Sequence, residues 1–301
     1  MDTRAHSEPG IPDWPCHING AVSTLDQARV SVLDRGFIFG DGVYEVLPVY
    51  AGRIFCFGQH MNRLDRSLRE MRMRNPHAPQ AWLAMARELI GAMQARGHAD
   101  LLVYLQITRG VALRDHVMPT DLVPTVFMMV TPMKPPTPEQ RTRGVACLSA
   151  DDFRWQKAHI KATSLLGAVF ARQLSADAGL TETILFRDGH LSEASSSNVW
   201  VVRDGGVMGP PASHLVLEGI RFGLVERLCR TLGIPFELRH VARHEVSDAD
   251  ELLLSSATKE VLPVTLLDDR PIGRGNGAGQ PGPVYRRLYE AYQGLKATES
   301  I

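Results

Sequence analysis

Residues 159–167 read His159-Ile160-Lys161-Ala162-Thr163-Ser164-Leu165-Leu166-Gly167. The chain holds 33 basic residues, and only five of them are lysines: Lys134, Lys157, Lys161, Lys259 and Lys296. Arginine fills nearly every place where a solvated positive charge suffices. A lysine kept among apolar neighbours therefore points to chemistry a guanidinium cannot perform: an amine can lose its proton and form an imine. Further on comes Glu193-Ala194-Ser195-Ser196-Ser197-Asn198, a carboxylate followed by three hydroxyls and an amide. An imine-forming amine, a carboxylate and a hydroxyl cluster suit a pyridoxal phosphate site. The same residues also suit a plainer arrangement, with Lys161 snorkelling from a strand end and the serines making a turn.

At 301 residues the chain exceeds the usual size of a single core, so two domains are expected. A hydrophobic content of 44%, a charged content of 22% and a net charge of zero describe an ordinary globular protein. The arginines are scattered rather than banked, which argues against nucleic acid or an anionic membrane as partner. No apolar run approaches the roughly 18 residues that span a bilayer. The start, Met1 to Gly10, lacks an apolar signal region and reads as a frayed tail, so a cytoplasmic location is expected. Cys16, Cys56, Cys147 and Cys229 form no CxxC pair and are expected to be free thiols, with no metal bound.

Aromatic and β-branched residues flanking Ala51-Gly52 predict a hairpin over Val43–Phe57. Apolar spacing predicts helices over His60–Met73 and Pro79–Gln94, followed by strands at Leu101–Thr108 and Thr125–Val130. Four prolines between Thr131 and Pro138 read as an interdomain linker. The expected division is thus a smaller N-terminal α/β domain over 14–130, a linker over 131–138 and a larger C-terminal domain over 139–301 carrying the lysine. In the second part, helices are expected at Ser164–Ser175, Gly219–Leu232 and Val284–Lys296, and strands at Thr183–Phe186, Asn198–Val202 and Glu251–Ser255. The run Gly273-Arg274-Gly275-Asn276-Gly277 echoes a dinucleotide fingerprint, but Pro281 and Pro283 follow where a helix should open, so a loop is expected.

Four segments, taken together, resemble the fold-type IV family of pyridoxal phosphate enzymes and, within it, the D-amino acid aminotransferases. They are Asp34-Arg35-Gly36-Phe37-Ile38-Phe39-Gly40-Asp41-Gly42-Val43-Tyr44-Glu45-Val46; Thr108-Arg109-Gly110 with Arg114-Asp115-His116; Ile160-Lys161 with Leu166-Gly167; and Glu193 to Val199. The resemblance implies a two-domain α/β fold with a smaller N-terminal domain and a C-terminal pseudo-barrel.

It also implies residue roles. Lys161 would hold pyridoxal 5'-phosphate and shuttle a proton during catalysis, and Glu193 would pair with the pyridine nitrogen. Arg63, Ser256 and the Ile220 amide would bind the cofactor phosphate, for which a guanidinium and helix N-terminal amides are apt donors, and Ser197 would also bind the cofactor. Tyr44, Arg114 and His116 would grip the substrate α-carboxylate. In the family, the Arg-x-His loop serves the neighbouring subunit, which implies a homodimer. Two positions depart from the family pattern, Arg221 and Ala257, where hydroxyl residues are often found. The implied activity moves an amino group from a D-amino acid such as D-alanine to 2-oxoglutarate or pyruvate. Alternatives of the same fold are a branched-chain L-amino acid aminotransferase and an aminodeoxychorismate lyase; an amine transaminase should lack a carboxylate trap.

Overall fold

The computed structural model describes residues 10–301, so all but the last residue of the expected tail lies outside the described residues. The chain groups into two compact units. The first comprises the described residues through Met133, with Ile160–Ser164 and Glu299–Ile301; the second comprises Lys134–His159 and Leu165–Thr298. A single division at the proline-rich segment is therefore corrected. Lys161 belongs to the first unit, because its segment hydrogen-bonds to a strand there, as described below.

The first unit contains β1 (Pro15–Ile18), β2 (Ala21–Thr24), α1 (Arg35–Phe39), β3 (Gly42–Tyr50), β4 (Arg53–Ile54), α2 (Phe57–Glu70), α3 (Pro79–Gln94), β5 (Leu101–Thr108) and β6 (Thr125–Pro132). Its strands form one antiparallel sheet in the order β2-β1-β6-β5-β3-β4. The hairpin expected over Val43–Phe57 forms, turning where Ala51 and Gly52 take φ of 48° and 78°. Side chains alternate across a strand, so the face of β3 carrying Leu47 and Val49 packs with Leu64 and Leu68 of α2 and Trp82, Leu89 and Met93 of α3 in one core. Burying each such side chain contributes roughly 1.5–3 kcal/mol. Helix α2 begins three residues earlier than its apolar spacing suggested. It ends at Glu70, because Arg72 turns to φ 54°. Strand β6 extends through Pro132, paired with Leu101, so the first two linker residues belong to the sheet.

The second unit contains α4 (Pro138–Arg143), β7 (Val145–Asp151), α5 (Leu166–Asp177), β8 (Glu182–Arg187), β9 (His190–Ala194), β10 (Asn198–Arg203), β11 (Gly206–Gly209), α6 (Ile220–Leu232), β12 (Phe236–Leu238), α7 (Arg243–Ser247), β13 (Glu251–Ser256), β14 (Glu260–Leu267), β15 (Arg270–Pro271) and α8 (Pro283–Thr298). Pro138 opens α4 behind a Thr137 capping box, a position where a proline loses no hydrogen bond. Its sheet runs β12-β11-β10-β13-β14-β7-β8-β9, with parallel pairs at β11–β12, β14–β7 and β7–β8. Strands β9 and β10 stand at opposite ends of six neighbours, which a flat sheet would hold about 24 Å apart. Only Ser195–Ser197 join them, and such a link spans at most ~14 Å. The sheet therefore curls back on itself, as the expected pseudo-barrel requires. The glycine-rich segment forms a 3-10 turn at Gly275–Gly277, separated from α8 by residues 278–282.

Candidate active site

Lys161 sits in a short stretch paired with the start of β3. The Tyr44 N–H donates to the Lys161 carbonyl at 3.0 Å, Thr163 N–H donates to the Gly42 carbonyl at 2.9 Å, and Val43 bridges Ala162. The helix expected from Ser164 starts two residues later, since the hydroxyls of Thr163 and Ser164 both donate to the Gly40 carbonyl at 2.9 Å. Gly40 has φ 65°, and a Cβ there would lie 2.8 Å from the Ser164 hydroxyl oxygen, so only glycine permits this approach. The Lys161 Nζ lies 4.1 Å from the Tyr44 ring centroid. Among the described residues it has no ion-pair or hydrogen-bond partner, which leaves its lone pair available on deprotonation. The structure thus brings Lys161 and Tyr44 together.

Tyr44 and Glu45 follow one another on β3 and point to opposite faces. Glu45, fully buried, faces α2 and accepts from Arg63 Nε at 2.8 Å and Nη2 at 2.7 Å, with His60 Nδ1 at 2.7 Å. Burial alone would raise this carboxyl, but the Arg63 and His60 partners hold it down to about 2. It therefore stays ionised and fixes the Arg63 guanidinium. Removing one partner of such a buried pair costs roughly 3–5 kcal/mol. Arg63 Nη1 has no partner among the described residues and can still reach an anion. Sequence reading identified Arg63 but not Glu45 or His60; the available signal was helical spacing from His60 to Arg63 opposite an acidic strand residue.

Arg114 and His116 lie in the irregular segment between β5 and β6, and both are exposed. Their side chains meet on the Phe39 ring: the Arg114 guanidinium carbon is 5.5 Å from its centroid and the His116 ring centroid is 5.4 Å away. These two residues are thus brought together at the end of α1.

In the second unit, Glu193 is buried at the end of β9. Its Oε1 accepts from Arg154 Nη1 at 2.7 Å, and its Oε2 accepts from the Leu217 N–H at 3.2 Å. Arg154 gives most of its donors to Asp152: Nε at 2.9 Å, Nη2 at 2.8 Å and its own backbone N–H at 3.0 Å. Burial would raise Asp152 too, but these bonds hold it below its ordinary value. Glu193 receives the smaller share of the shared cation. Burial therefore dominates and pushes its carboxyl upward despite Arg154. A second cation beside Glu193 would relieve that strain. Arg154 was not foreseen, and nothing in its sequence neighbourhood distinguishes it from the other arginines.

The three hydroxyls after Glu193 converge on one carboxylate. Glu182, fully buried on β8, accepts from Ser195, from Ser196 at 2.5 Å and from Ser197 at 2.9 Å, and pairs with Lys259 Nζ at 2.7 Å. The Ser197 proton is thus directed at Glu182. Ser256, at the end of β13, accepts from the Lys259 N–H at 3.1 Å. Lys259 therefore links the serine turn to Ser256. Ile220 opens α6 after Gly219, with its amide in the first helical turn. The expectation for the Arg221 side chain lies outside the described residues.

These residues fit pyridoxal phosphate on chemical grounds. The cofactor needs an untied primary amine, a buried carboxylate with spare lone pairs for the ring nitrogen, and cationic or amide donors for phosphate. The first unit offers the amine of Lys161 and the guanidinium of Arg63, and the second offers the Glu193 carboxylate and the amides at the start of α6. Among the described residues, no three His, Cys, Asp or Glu side chains gather as metal ligands, and no helix is long and apolar enough to cross a membrane.

The comparisons with known proteins agree with that chemistry. A family model described as amino-transferase class IV matches residues 42–267. The chain is 36% identical to a D-alanine aminotransferase of Bacillus licheniformis, covering 94% of this chain and 97% of that one. It is 32% identical to a D-alanine aminotransferase of Staphylococcus aureus strain N315, covering 94% and 98%. A solved branched-chain amino acid aminotransferase of T.th. with pyridoxamine 5'-phosphate is 26% identical, with a TM-score of 0.83 over 95% of each chain. The chain belongs to the class IV aminotransferase family, whose members are pyridoxal phosphate-dependent enzymes of fold-type IV.

Proposed function

We propose that this protein is a D-amino acid aminotransferase that moves the amino group of a D-amino acid, such as D-alanine, to 2-oxoglutarate or pyruvate. The observation that carries this reading is the pairing of Arg114 with His116 on Phe39. A guanidinium fork beside an imidazole donor suits a carboxylate, and its presence favours an amino-acid enzyme over an amine transaminase or a lyase. The D-alanine aminotransferase relatives, similar along nearly their whole length, support the D branch over the branched-chain L enzymes that share the fold.

When bound, pyridoxal phosphate supplies a ring that accepts the electrons left as the substrate Cα–H bond breaks. The protein's part is positioning and proton transfer. Lys161 would take the proton from the substrate Cα and deliver it to the cofactor C4′, which requires its amine to be neutral for part of the cycle. Glu193 would pair with the ring nitrogen and keep it protonated. In the first unit Arg63, oriented by Glu45, would hold the phosphate; in the second, the Ile220 amide and Ser256 would do so, and Ser197 would also bind the cofactor. Tyr44, Arg114 and His116 orient the substrate through its α-carboxylate. A panel of D- and L-amino acids tests the reading, with turnover of D-alanine expected and a preference for L-leucine contradicting it. Arg114→Gln should lower kcat/KM for D-alanine roughly ten- to a hundredfold, the loss of one charge-assisted bond. An unchanged kcat/KM would remove Arg114 from substrate recognition.

The active unit we propose is a homodimer. Helix α5 turns Leu166, Val169, Phe170 and Leu174 to solvent on one face, with Phe170 59% exposed, and the loop bearing Arg114 exposes Leu113 and Val117. Apolar surface of this extent on a single chain marks an interaction site. Sedimentation at assay concentration should give twice the chain mass; full activity from a monomer would contradict it. A cytoplasmic location is proposed, since Cys16, Cys147 and Cys229 are buried free thiols, the state a reducing compartment maintains.

A further inference from the structure

We infer that Phe39 and Arg35 are positioning residues for substrate carboxylate recognition, holding the Arg114–His116 pair in place before substrate arrives. The inference rests on the carboxylate-trap reading above and extends it to two residues that would not touch the substrate. An exposed arginine on an irregular loop samples many rotamers, and ordering it at the moment of binding weakens recognition. Here that ordering is built into the chain.

Two observations carry it independently. The first is the half-buried Phe39 ring. It contacts Arg114 and His116 and also carries the Arg35 guanidinium carbon 4.8 Å from its centroid. An aromatic face attracts guanidinium through its quadrupole, and here it collects both trap residues on one platform. The second is the Arg35 guanidinium itself, buried and forked between two acceptors. Its Nε donates to Asp41 at 2.7 Å, and its Nη1 donates to the backbone carbonyl of Asp115 at 2.6 Å. Asp115 is the residue between Arg114 and His116, so this bond fixes the backbone from which both side chains project. Asp41 in turn accepts from Arg109 Nε at 2.8 Å and Nη2 at 3.0 Å, which makes the anchor rigid. Gly40, between Phe39 and Asp41, receives the Thr163 and Ser164 hydroxyls. The platform that holds the trap is thus tied to the segment bearing Lys161.

The test is a set of holoenzyme variants read against D-alanine and against propionate, a carboxylate with no amine to transfer. Phe39→Leu should raise the KM for D-alanine and the inhibition constant of propionate about tenfold each, with kcat much less affected. Phe39→Tyr, which keeps the ring, should restore both constants. In an Arg114→Gln background, Phe39→Leu should add little, since residues acting through one interaction are not additive. Where Phe39→Leu fails to fold, Arg35→Lys replaces it: one ammonium keeps the Asp41 pair but cannot fork to Asp115, and the same rise in both constants is expected. Parental constants in Phe39→Leu, with Arg114→Gln raising both, would overturn this inference and leave the trap intact. A propionate constant unmoved by Arg114→Gln would instead remove the trap, and this inference with it.

Discussion

Lys161→Ala is expected to abolish transamination, lowering turnover by at least about a thousandfold, the scale of a lost general acid–base. Lys161→Arg should fare no better despite its charge, because guanidinium does not deprotonate near neutral pH. The structure gives this prediction its specificity. Among the described residues, the Lys161 amine is untied and stands 4.1 Å from the Tyr44 ring. By contrast, the Lys259 amine is occupied by Glu182 at 2.7 Å and Ser196 at 3.1 Å. Borohydride reduction of the holoenzyme should leave a pyridoxyl label on the peptide containing Lys161. A label on Lys157 or Lys259 would show that another amine does this work.

Glu193→Gln is expected to retain cofactor and lose turnover by roughly ten- to a hundredfold, the effect of removing a charge from one strong hydrogen bond. An amide accepts a hydrogen bond but cannot offset a pyridinium charge. A pH dependence accompanies it. Burial raises the Glu193 carboxyl, so its protonated fraction grows as pH falls through that raised value, and only the ionised form attracts the protonated ring. Cofactor affinity of the apoprotein should therefore weaken on the acid side, and Glu193→Gln should flatten that limb. A glutamine variant with parental turnover and parental pH dependence would assign Glu193 another job.

Much of this arrangement was legible in the sequence, and the reasons are physical. Lys161 stood out because lysine is scarce here and an amine differs chemically from a guanidinium. The helix at Pro79–Gln94 and the strand at Leu101–Thr108 were readable to the residue, because their apolar periodicity is unbroken. Less legible were elements whose stability comes from distant partners. Strand β14 contains Pro263, which argues against a strand locally, yet it pairs with β13 there and meets β7 only from Val264 onward. Strand β9 is short, and its residues also suit a turn. The departure of Lys161 from the C-terminal division reflects a five-residue stretch captured by β3 through backbone bonds, which composition does not encode. Glu45, Arg154 and Glu182 were missed for a related reason. Each is an ordinary charged residue in sequence and acquires its role only from a burial partner: Arg63 18 residues away, Glu193 39 away and Lys259 77 away.

Transamination of D-amino acids through Lys161 and a bound pyridoxal phosphate is the reaction we propose. The most direct measurement is a single half-reaction followed by visible absorbance, with the purified holoenzyme mixed separately with D-alanine and L-alanine and no keto acid present. D-Alanine should convert the bound cofactor stoichiometrically to its amine form, added 2-oxoglutarate should reverse the change, and L-alanine should do neither at a comparable rate. Conversion by L-alanine or L-leucine with no response to D-alanine would contradict the proposal.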